Sequence, residues 1–363
     1  MPNCAPLRYD GWMTRRGVIV WGLALFGIVL LYGQPVLAVP ESELATAFDD
    51  HVRPFIQADF TPGSFQGTAG TTLQFRARNS DHATGIVVVV NGRTEFGAKY
   101  DELLYDLRDL PVRIFSFDHR GQGMSSRLLA DTNKGHVVSF NDYVSDLEIF
   151  IDTVVAREDR APLIIVAHSM GGLVSALYAN AHPDSVQGLI LCAPMLGIQT
   201  RPFPERIARL LARGAVFCGL DEHYVPAGKP YDPDKPFSTN DVTHSEARFT
   251  LNKRLVAEAP GNALGSPTFG WLNQAFAGMD RLRAEHRRLT MPVLLLQAEW
   301  DRVVQLAPQT TWCQSLPSCT LVPLPGSGHE ILMERDPVRD GAIARIRAFI
   351  SSIIASPRGA EQP

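Results

Sequence analysis

The segment Ala167-His168-Ser169-Met170-Gly171 places a serine between an apolar run and a run of small residues. Residues 162–166 have the composition of a buried strand, and residues 172–179 that of a helix. A serine on such a sharp strand-to-helix turn projects its hydroxyl out of the sheet, where a base can reach it. The pattern is that of a nucleophile elbow, usually written G-x-S-x-G, with alanine at the first glycine position. The alternative is an ordinary β–α turn that carries a serine.

A serine nucleophile of this kind works with an acid and a histidine that follow it in the chain, each after a strand. Asp301 follows one strongly apolar run, and His329 lies in a glycine-rich loop after a second. We therefore predict that Ser169, Asp301 and His329 form a catalytic triad. Glu299, two residues nearer the strand end, is the alternative acid.

In such a triad the histidine takes the serine proton during attack and returns a proton to the leaving group, while the acid holds the imidazole tautomer. The developing oxyanion needs preorganised N–H donors. We predict that the backbone N–H groups of Met170 and Arg93 are these donors. Arg93 lies in the loop after the apolar run 85–90, where a plain turn is the alternative reading of Asn91-Gly92.

Other titratable residues near these motifs are expected to have structural roles. His168 is interpreted as a packing or supporting residue, because neighbours on an elbow point apart. Glu330 is interpreted as a helix-start residue. Three further histidines lack a strand-end context and are expected at the surface or in loops: His119, His182 and His223.

Five segments resemble motifs of the α/β-hydrolase family of monoacylglycerol lipases and bacterial lysophospholipases. They are the loop 91–95, with Asn91 in place of the family's histidine, the turn 117–125, the helix start 140–147, the elbow 167–172 and the histidine loop 328–334. The resemblance spans residues 87–349. It is closer to the bacterial lysophospholipases because of Asn91 with Arg93 and because of the stretches 243–245 and 266–268.

The resemblance implies a serine hydrolase that cleaves carboxylic esters of lipids, either lysophospholipids or monoacylglycerols, through an acyl-enzyme. It also implies that Asp118 and Arg120 hold a turn and take no part in the chemistry. The mechanism needs no cofactor, and the sequence shows neither a metal-ligand spacing nor a phosphate-cradling glycine loop. The alternatives are an acyltransferase, a peptidase or a small-ester esterase on the same triad, and a non-catalytic membrane-associated binding protein.

Strand-like and helix-like runs alternate from about residue 72 to 352, which predicts an α/β fold with a mostly parallel sheet and helices on both faces. We predict one α/β-hydrolase domain over residues 39–363. Residues from about 195–290 are too many for a β–α connection and predict an inserted cap with helices at 206–211 and 245–249. Six aromatic residues of the cap either line an acyl tunnel or form the cap's own core: Phe203, Phe217, Phe249, Phe269, Trp271 and Phe276.

The first 38 residues predict export. Arg15 and Arg16 precede the uncharged apolar stretch 17–33, as in a secretory signal peptide that is cleaved after Ala38. An uncleaved membrane anchor is the alternative, because about 17 apolar residues are at the lower limit for spanning a bilayer. Both readings place the catalytic domain in the periplasm or at the outer face of the cytoplasmic membrane.

The formal net charge of −4 changes to −6 when residues 1–38, with three arginines and one aspartate, are removed. This balance does not favour nucleic-acid binding, so a lipid ester is the expected partner and association with a membrane a second expectation. Among the five cysteines, Cys192 is expected to be a buried thiol. Cys313 and Cys319 flank a short loop, where a disulfide and two free thiols are both compatible with the sequence.

Overall fold

The computed structural model describes residues 38–156, 161–285 and 289–356. The predicted signal segment lies outside the described residues up to Leu37, so export stays a prediction. No helix in the described part of the chain is both long and apolar enough to cross a bilayer.

Eight strands form one sheet in the spatial order β1-β2-β4-β3-β5-β6-β7-β8. Neighbours from β4 onward in that order are parallel, whereas β1 and β2 are antiparallel additions at one edge. This confirms the predicted mostly parallel sheet. The strands are β1 Thr61–Gln66, β2 Thr72–Arg78, β3 Gly85–Val90, β4 Val112–Phe117, β5 Leu163–His168, β6 Gly188–Cys192, β7 Val293–Ala298 and β8 Cys319–Leu324.

From β3 onward each strand is followed by at least one α-helix, as the alternating sequence pattern predicted. Two π-helical segments, Phe48–Val52 and Ile151–Val155, continue α1 and α4. The α-helices are α1 Leu44–Ala47, α2 Arg53–Asp59, α3 Asp101–Asp106, α4 Phe140–Phe150, α5 Met170–Ala181, α6 Glu205–Phe217, α7 Glu246–Glu258, α8 Phe269–Glu285, α9 Leu306–Gln314 and α10 Asp336–Ala355.

The central strands β3, β5, β6 and β7 are buried at every residue. Ile86 and Val88 belong to one large core that includes residues of α4, α5 and α8. Val87 and Val89 are equally buried and, because side chains alternate along a strand, lie on the other face of the sheet. Both faces are therefore covered, which explains why these strands are continuous apolar runs in the sequence.

Between β6 and β7 the chain forms α6, α7 and α8, with irregular segments between them. This stretch is the one predicted as a cap. α6 and α7 extend well beyond the predicted helices at 206–211 and 245–249, and α8 had no predicted counterpart. Because α8 packs on α4 and α5 as well as on α6, it joins the inserted stretch to the body.

The aromatic residues of the inserted stretch divide into three groups. Trp271 and Phe276 are buried in the main core, and Phe249 and Phe269 are half-buried. Phe203 and Phe217 are exposed, the latter at 92%. Phe203 and Phe217 therefore do not form a core of the inserted stretch, and Leu210 of α6 is exposed as well.

The segment directly after Ala38 is held firmly to the body. The Val39 carbonyl accepts a hydrogen bond from Arg248 of α7 at 3.1 Å, and the Glu41 backbone N–H donates to Asp336 at 2.9 Å. Leu44 and Phe48 are buried. The chain is therefore ordered into the fold from its first described residues.

Cys313 at the end of α9 and Cys319 at the start of β8 form a disulfide. Of the two arrangements compatible with the sequence, the structure has the bridge. Cys192 is a buried free thiol, as predicted, and burial raises its pKa to about 12.

Candidate active site

Ser169 lies at the turn between β5 and α5 with φ 50° and ψ −115°, a conformation that non-glycine residues rarely adopt. Its backbone is fixed on both sides: its N–H donates to Cys192 at 3.1 Å, and its carbonyl accepts from Met195 at 2.9 Å. Such a strained backbone persists only where its surroundings determine it. The turn has the geometry of the predicted nucleophile elbow.

Gly171 shows why the elbow needs a small residue after the nucleophile. A Cβ atom at this position would lie 2.4 Å from the carbonyl oxygens of both Val90 and Asn91. The first turn of α5 is therefore packed directly against the end of β3. This contact brings Ser169 and the loop after β3 to the same place.

The structure brings the three residues predicted as a triad into one hydrogen-bonded line. His329 Nε2 lies 2.9 Å from Ser169 Oγ, and His329 Nδ1 lies 2.6 Å from Asp301 Oδ2. Because a carboxylate only accepts hydrogen bonds, Nδ1 carries the proton and Nε2 is free to accept the serine proton. The second oxygen of Asp301 accepts the backbone N–H groups of Val303 and Val304, each at 2.8 Å, which fixes the carboxylate.

Glu299, the alternative acid, does not contact His329. Its carboxylate accepts the backbone N–H of Gly326 at 2.7 Å and is exposed. Glu299 therefore supports the start of the histidine loop, and the geometry leaves Asp301 as the acid within reach of the imidazole.

The two predicted oxyanion donors lie on the two segments that meet at Gly171. Neither the backbone N–H of Arg93 nor that of Met170 donates a hydrogen bond to any described residue. Both are therefore available to a substrate oxygen. The neighbouring Asn91 is buried, and neither atom of its amide has a partner among the described residues.

His168 lies between the nucleophile loop and the histidine loop. Its Nδ1 is 3.0 Å from Glu95 Oε2, and its Nε2 is 3.1 Å from the backbone oxygen of His329. Both partners accept, so both ring nitrogens donate and the ring is an imidazolium. Burial alone would lower the pKa of His168, but the charge of Glu95 outweighs burial and raises it.

A buried cluster of charges surrounds this contact. Glu95 accepts hydrogen bonds from Lys99 at 2.8 Å, from the Tyr100 hydroxyl at 2.5 Å and from the Gly92 backbone N–H. Burial would raise the pKa of Glu95, but the charges of His168 and Lys99 lower it well below its usual value. The loop after β3 and the base are thus held by one ionised network.

Glu330 takes part in the same network. Lys99 Nζ lies 2.6 Å from its carboxylate, and Glu330 begins the 3-10 turn Ile331–Met333. The expected helix-start role is accurate for its backbone, but its side chain also pairs with a buried lysine. Sequence reasoning found neither Lys99 nor the role of Glu95, because these residues lie 69 and 73 positions before His168 in the chain.

Asp118 and Arg120 hold turns, as the family resemblance implied. Asp118 accepts the backbone N–H groups of Gly97 at 2.7 Å and Met124 at 2.8 Å. Arg120 binds both oxygens of Asp146 at 2.6 Å. Neither side chain bonds to a triad member.

His119 differs from its expected surface position. The side chain is fully buried, packed edge-on against the rings of Phe117 and Tyr143. Burial lowers its pKa to about 3, so the ring is neutral. The sequence around His119 does not indicate this enclosure, because it depends on Tyr143, a residue of α4.

The inserted stretch is attached to the histidine loop. The Glu330 backbone N–H donates to the Val242 carbonyl at 2.8 Å, and Thr243 Oγ1 donates to the Met333 carbonyl at 2.5 Å. Glu334 accepts from His244 and from the Gly328 backbone N–H. Residues 242–244 therefore lie directly over the loop that carries His329.

Among the described residues, no group of three or more His, Cys, Asp or Glu side chains is arranged to hold a metal ion. The functional groups brought together are a serine, a histidine and a carboxylate with two unoccupied backbone N–H donors beside them. Such a set of groups can perform acyl transfer through a covalent intermediate.

Comparison with known proteins identifies a matching family and relatives that are named as lipid hydrolases. The sequence matches the family Hydrolase_4, described as serine aminopeptidase, S33, over residues 81–336. Lysophospholipase L2 of Escherichia coli strain K12 is 35% identical over 295 residues, which cover 79% of this chain and 86% of that protein. Monoglyceride lipase of Rattus norvegicus is 27% identical over 272 residues, which cover 74% and 83%.

Solved structures share the architecture. A soluble variant of monoglyceride lipase from Saccharomyces cerevisiae superimposes with a TM-score of 0.64 at 17% identity, covering 83% of this chain and 98% of that one. A carboxyl esterase from Bacillus coagulans gives a TM-score of 0.67 at 20% identity, covering 82% and 99%. These similarities confirm the predicted α/β-hydrolase fold.

Proposed function

This chain belongs to the Hydrolase_4 family of α/β-hydrolases, and on that basis we propose that it hydrolyses lysophospholipids and monoacylglycerols through an acyl-enzyme on Ser169. The chain is a carboxylic ester hydrolase. The observation that carries the proposal is the hydrogen-bonded line from Asp301 through His329 to Ser169.

The geometry supports the following sequence of steps. Ser169 Oγ attacks the ester carbonyl while His329 Nε2 takes its proton, and Asp301 stabilises the resulting imidazolium. The backbone N–H groups of Arg93 and Met170 bind the oxyanion. His329 then protonates the leaving alcohol, and a water molecule that His329 deprotonates releases the fatty acid.

The test is release of fatty acid from lysophosphatidylcholine and from a monoacylglycerol by the purified chain in detergent. Ser169→Ala and Asp301→Asn should each lower kcat by roughly 10³-fold or more with an unchanged circular dichroism spectrum. Glu299→Gln is the matched control and should retain activity. Near-normal turnover by Ser169→Ala would remove the site assignment, and absence of release from both lipids would remove the substrate class.

The same assay separates the remaining alternatives. An acyltransferase would form a new ester when an alcohol acceptor is added, and an esterase for small substrates would prefer short acyl chains. A binding protein would turn over no ester at all.

We also propose that the protein is exported and works at a membrane surface. Its Cys313–Cys319 disulfide supports export, because such bonds persist in oxidising compartments. The exposed apolar side chains of α6, among them Leu210 at 66% and Phe217, support contact with lipid. Leu210→Asp with Phe217→Asp should reduce co-sedimentation with phospholipid vesicles and leave hydrolysis of a soluble ester intact; unchanged sedimentation would contradict the proposal.

A further inference from the structure

The side chain of Arg93 carries a charge that no carboxylate of the described residues neutralises. Its Nη2 donates to the Gly265 carbonyl at 2.5 Å, and its guanidinium lies 5.1 Å from the centre of the Trp271 ring. Its Nε is buried and has no hydrogen-bond partner among the described residues. Burial lowers the pKa of Arg93 to about 10, so the group remains charged at neutral pH.

A buried cation without a carboxylate is costly, because the Gly265 carbonyl and the Trp271 ring replace only part of the hydration that burial removes. A neutral donor would satisfy the Gly265 carbonyl equally well. The guanidinium is instead a rigid planar donor that fits the oxygens of a phosphate. An anion that arrives with the substrate would supply the missing partner.

The Tyr224 side chain lies within electrostatic range of the Arg93 guanidinium. The Tyr224 hydroxyl is buried without a partner, and Lys134 Nζ lies 5.6 Å from the centre of the Tyr224 ring. Lys134 makes no ion pair with a described residue. Among the described residues, Asp131 has the one carboxylate whose charge acts on Tyr224. Asp131 is exposed and accepts the Asn133 backbone N–H at 3.1 Å.

The inserted stretch encloses these donors from above. Residues 133–135 bond to residues 265–268, with Gly135 N–H donating to Ser266 at 3.2 Å and Thr268 N–H donating to Gly135 at 2.9 Å. A Cβ atom at Gly135 would lie 2.4 Å from Arg93 Nη2. The Arg93 guanidinium is therefore in close contact with the backbone at residue 135, where a larger side chain would displace it.

The position of Arg93 relates this cation to the reacting ester. Its backbone N–H is a proposed oxyanion donor, so its side chain starts beside the scissile carbonyl. The glycerol that separates the ester from the phosphate in a lysophospholipid is similar in length to an arginine side chain. A phosphate on the substrate therefore comes within reach of the guanidinium.

We propose that the Arg93 guanidinium, together with the Tyr224 hydroxyl and the Lys134 ammonium, binds the phosphate of the substrate head group and selects lysophospholipids over neutral monoacylglycerols. This inference rests on the proposed function and narrows its substrate class. Arg93 then has two roles: its backbone stabilises the oxyanion, and its side chain positions the head group.

The experiment compares kcat/KM of the full chain for lysophosphatidylcholine and for a monoacylglycerol with the same acyl chain. Arg93→Met should lower the ratio of kcat/KM for lysophosphatidylcholine to kcat/KM for the monoacylglycerol by about 10- to 100-fold, as expected for loss of charge-assisted hydrogen bonds to the phosphate. Tyr224→Phe should shift the same ratio in the same direction by a smaller factor. Equal losses on both substrates, or no loss, would show that Arg93 only ties the loop to the inserted stretch.

Arg127 provides the matched control. It also donates to carbonyls of the inserted stretch, those of Gly261 and Ala263, and forms no ion pair with a described residue. Arg127→Met removes a comparable structural tie and should change both kcat/KM values by the same factor. A selective loss on lysophosphatidylcholine in this variant would contradict the assignment to Arg93.

A binding measurement keeps the proposal independent of catalysis. Calorimetry with Ser169→Ala protein and a short-chain ether analogue of lysophosphatidylcholine should give a Kd that Arg93→Met weakens about tenfold or more. The corresponding ether of glycerol should bind both proteins alike. If hydrolysis fails but this difference appears, the proposed reaction is wrong and the phosphate site remains; if hydrolysis occurs without it, the phosphate site is wrong.

Discussion

At the scale of single residues, His168 supports the base His329 through the backbone oxygen of that residue and makes no hydrogen bond to its imidazole. The imidazolium bridges the Glu95 carboxylate and the backbone oxygen of His329. It therefore fixes the main chain at the residue that must face Ser169. Sequence reasoning placed Ser169, Asp301 and His329 because each follows a strand, but it found no partner for His168, whose contacts depend on distant loops.

Replacing His168 by Gln should destabilise the protein by about 1–3 kcal/mol, because a buried carboxylate loses its charged partner. The main chain of His329 also loses its donor, so kcat should fall while KM changes little. Urea unfolding and steady-state kinetics measure the two effects. His182→Gln, at a partly exposed histidine after α5, is the control and should alter neither.

The stability difference between wild type and His168→Gln should depend on pH. The pKa of His168 is raised in the folded protein, so its stabilising contribution is complete below the ordinary histidine value of about 6.5 and is lost as the pH rises through the raised value. Glu95, with a lowered pKa, stays ionised throughout this range. Unfolding curves from pH 6 to 9 should show the difference shrinking; a difference that grows with pH would mean that the ring is neutral.

At the scale of elements, the strands were the most predictable part of the fold. The predicted run 85–90 coincides with β3, and the run 162–166 begins one residue before β5, because strands with helices on both faces need unbroken apolar sequence. The inserted stretch was less predictable. Its apolar residues indicate helices, but whether a neighbour covers them is decided by tertiary packing, which leaves Phe217 of α6 in solvent.

Arg248 of α7 attaches the inserted stretch to the body. It is fully buried and binds Glu102 of α3 at 2.8 Å, the Glu334 carbonyl at 2.7 Å and Asp336 at 3.0 Å. Arg248→Met should lower the free energy of unfolding by about 3–5 kcal/mol, because Glu102 keeps a buried charge with one partner fewer.

Chemical denaturation of the Arg248→Met protein measures this loss. Arg254→Met is the matched control, since Arg254 lies on the same helix and pairs with Asp49 at the surface. It should cost no more than about 1 kcal/mol. Equal losses of unfolding free energy in the two variants would show that the buried pair of Arg248 with Glu102 stabilises the protein no more than the surface pair of Arg254 with Asp49.

At the scale of the whole molecule, the segment after Ala38 is part of the catalytic body. A chain without residues 1–38 should keep its stability and activity, whereas a chain without residues 1–48 loses the contacts of Glu41 and the buried side chains of Leu44 and Phe48. Each such apolar side chain contributes about 1.5–3 kcal/mol. The longer truncation should therefore lower Tm by roughly 10 °C in a thermal scan.

Phe48→Ala separates burial from chain length in this comparison. It removes one buried ring, which also lies within cation–π distance of Arg53 and Arg254, and leaves the backbone contacts of Glu41 in place. It should lower stability by about 3–5 kcal/mol. If the chain without residues 1–48 has the same Tm as wild type, this segment does not contribute to stability.

The contact between His168 and the backbone of His329 has a consequence for motion. His168 and Ser169 are consecutive residues at the end of one strand, so any displacement of that strand carries the nucleophile and the support of the base together. We therefore expect movements of that strand to change the distance between Ser169 and His329 less than movements of other elements do. Ser169 Oγ and His329 Nε2, which lie 2.9 Å apart, are in this way coupled to the same strand.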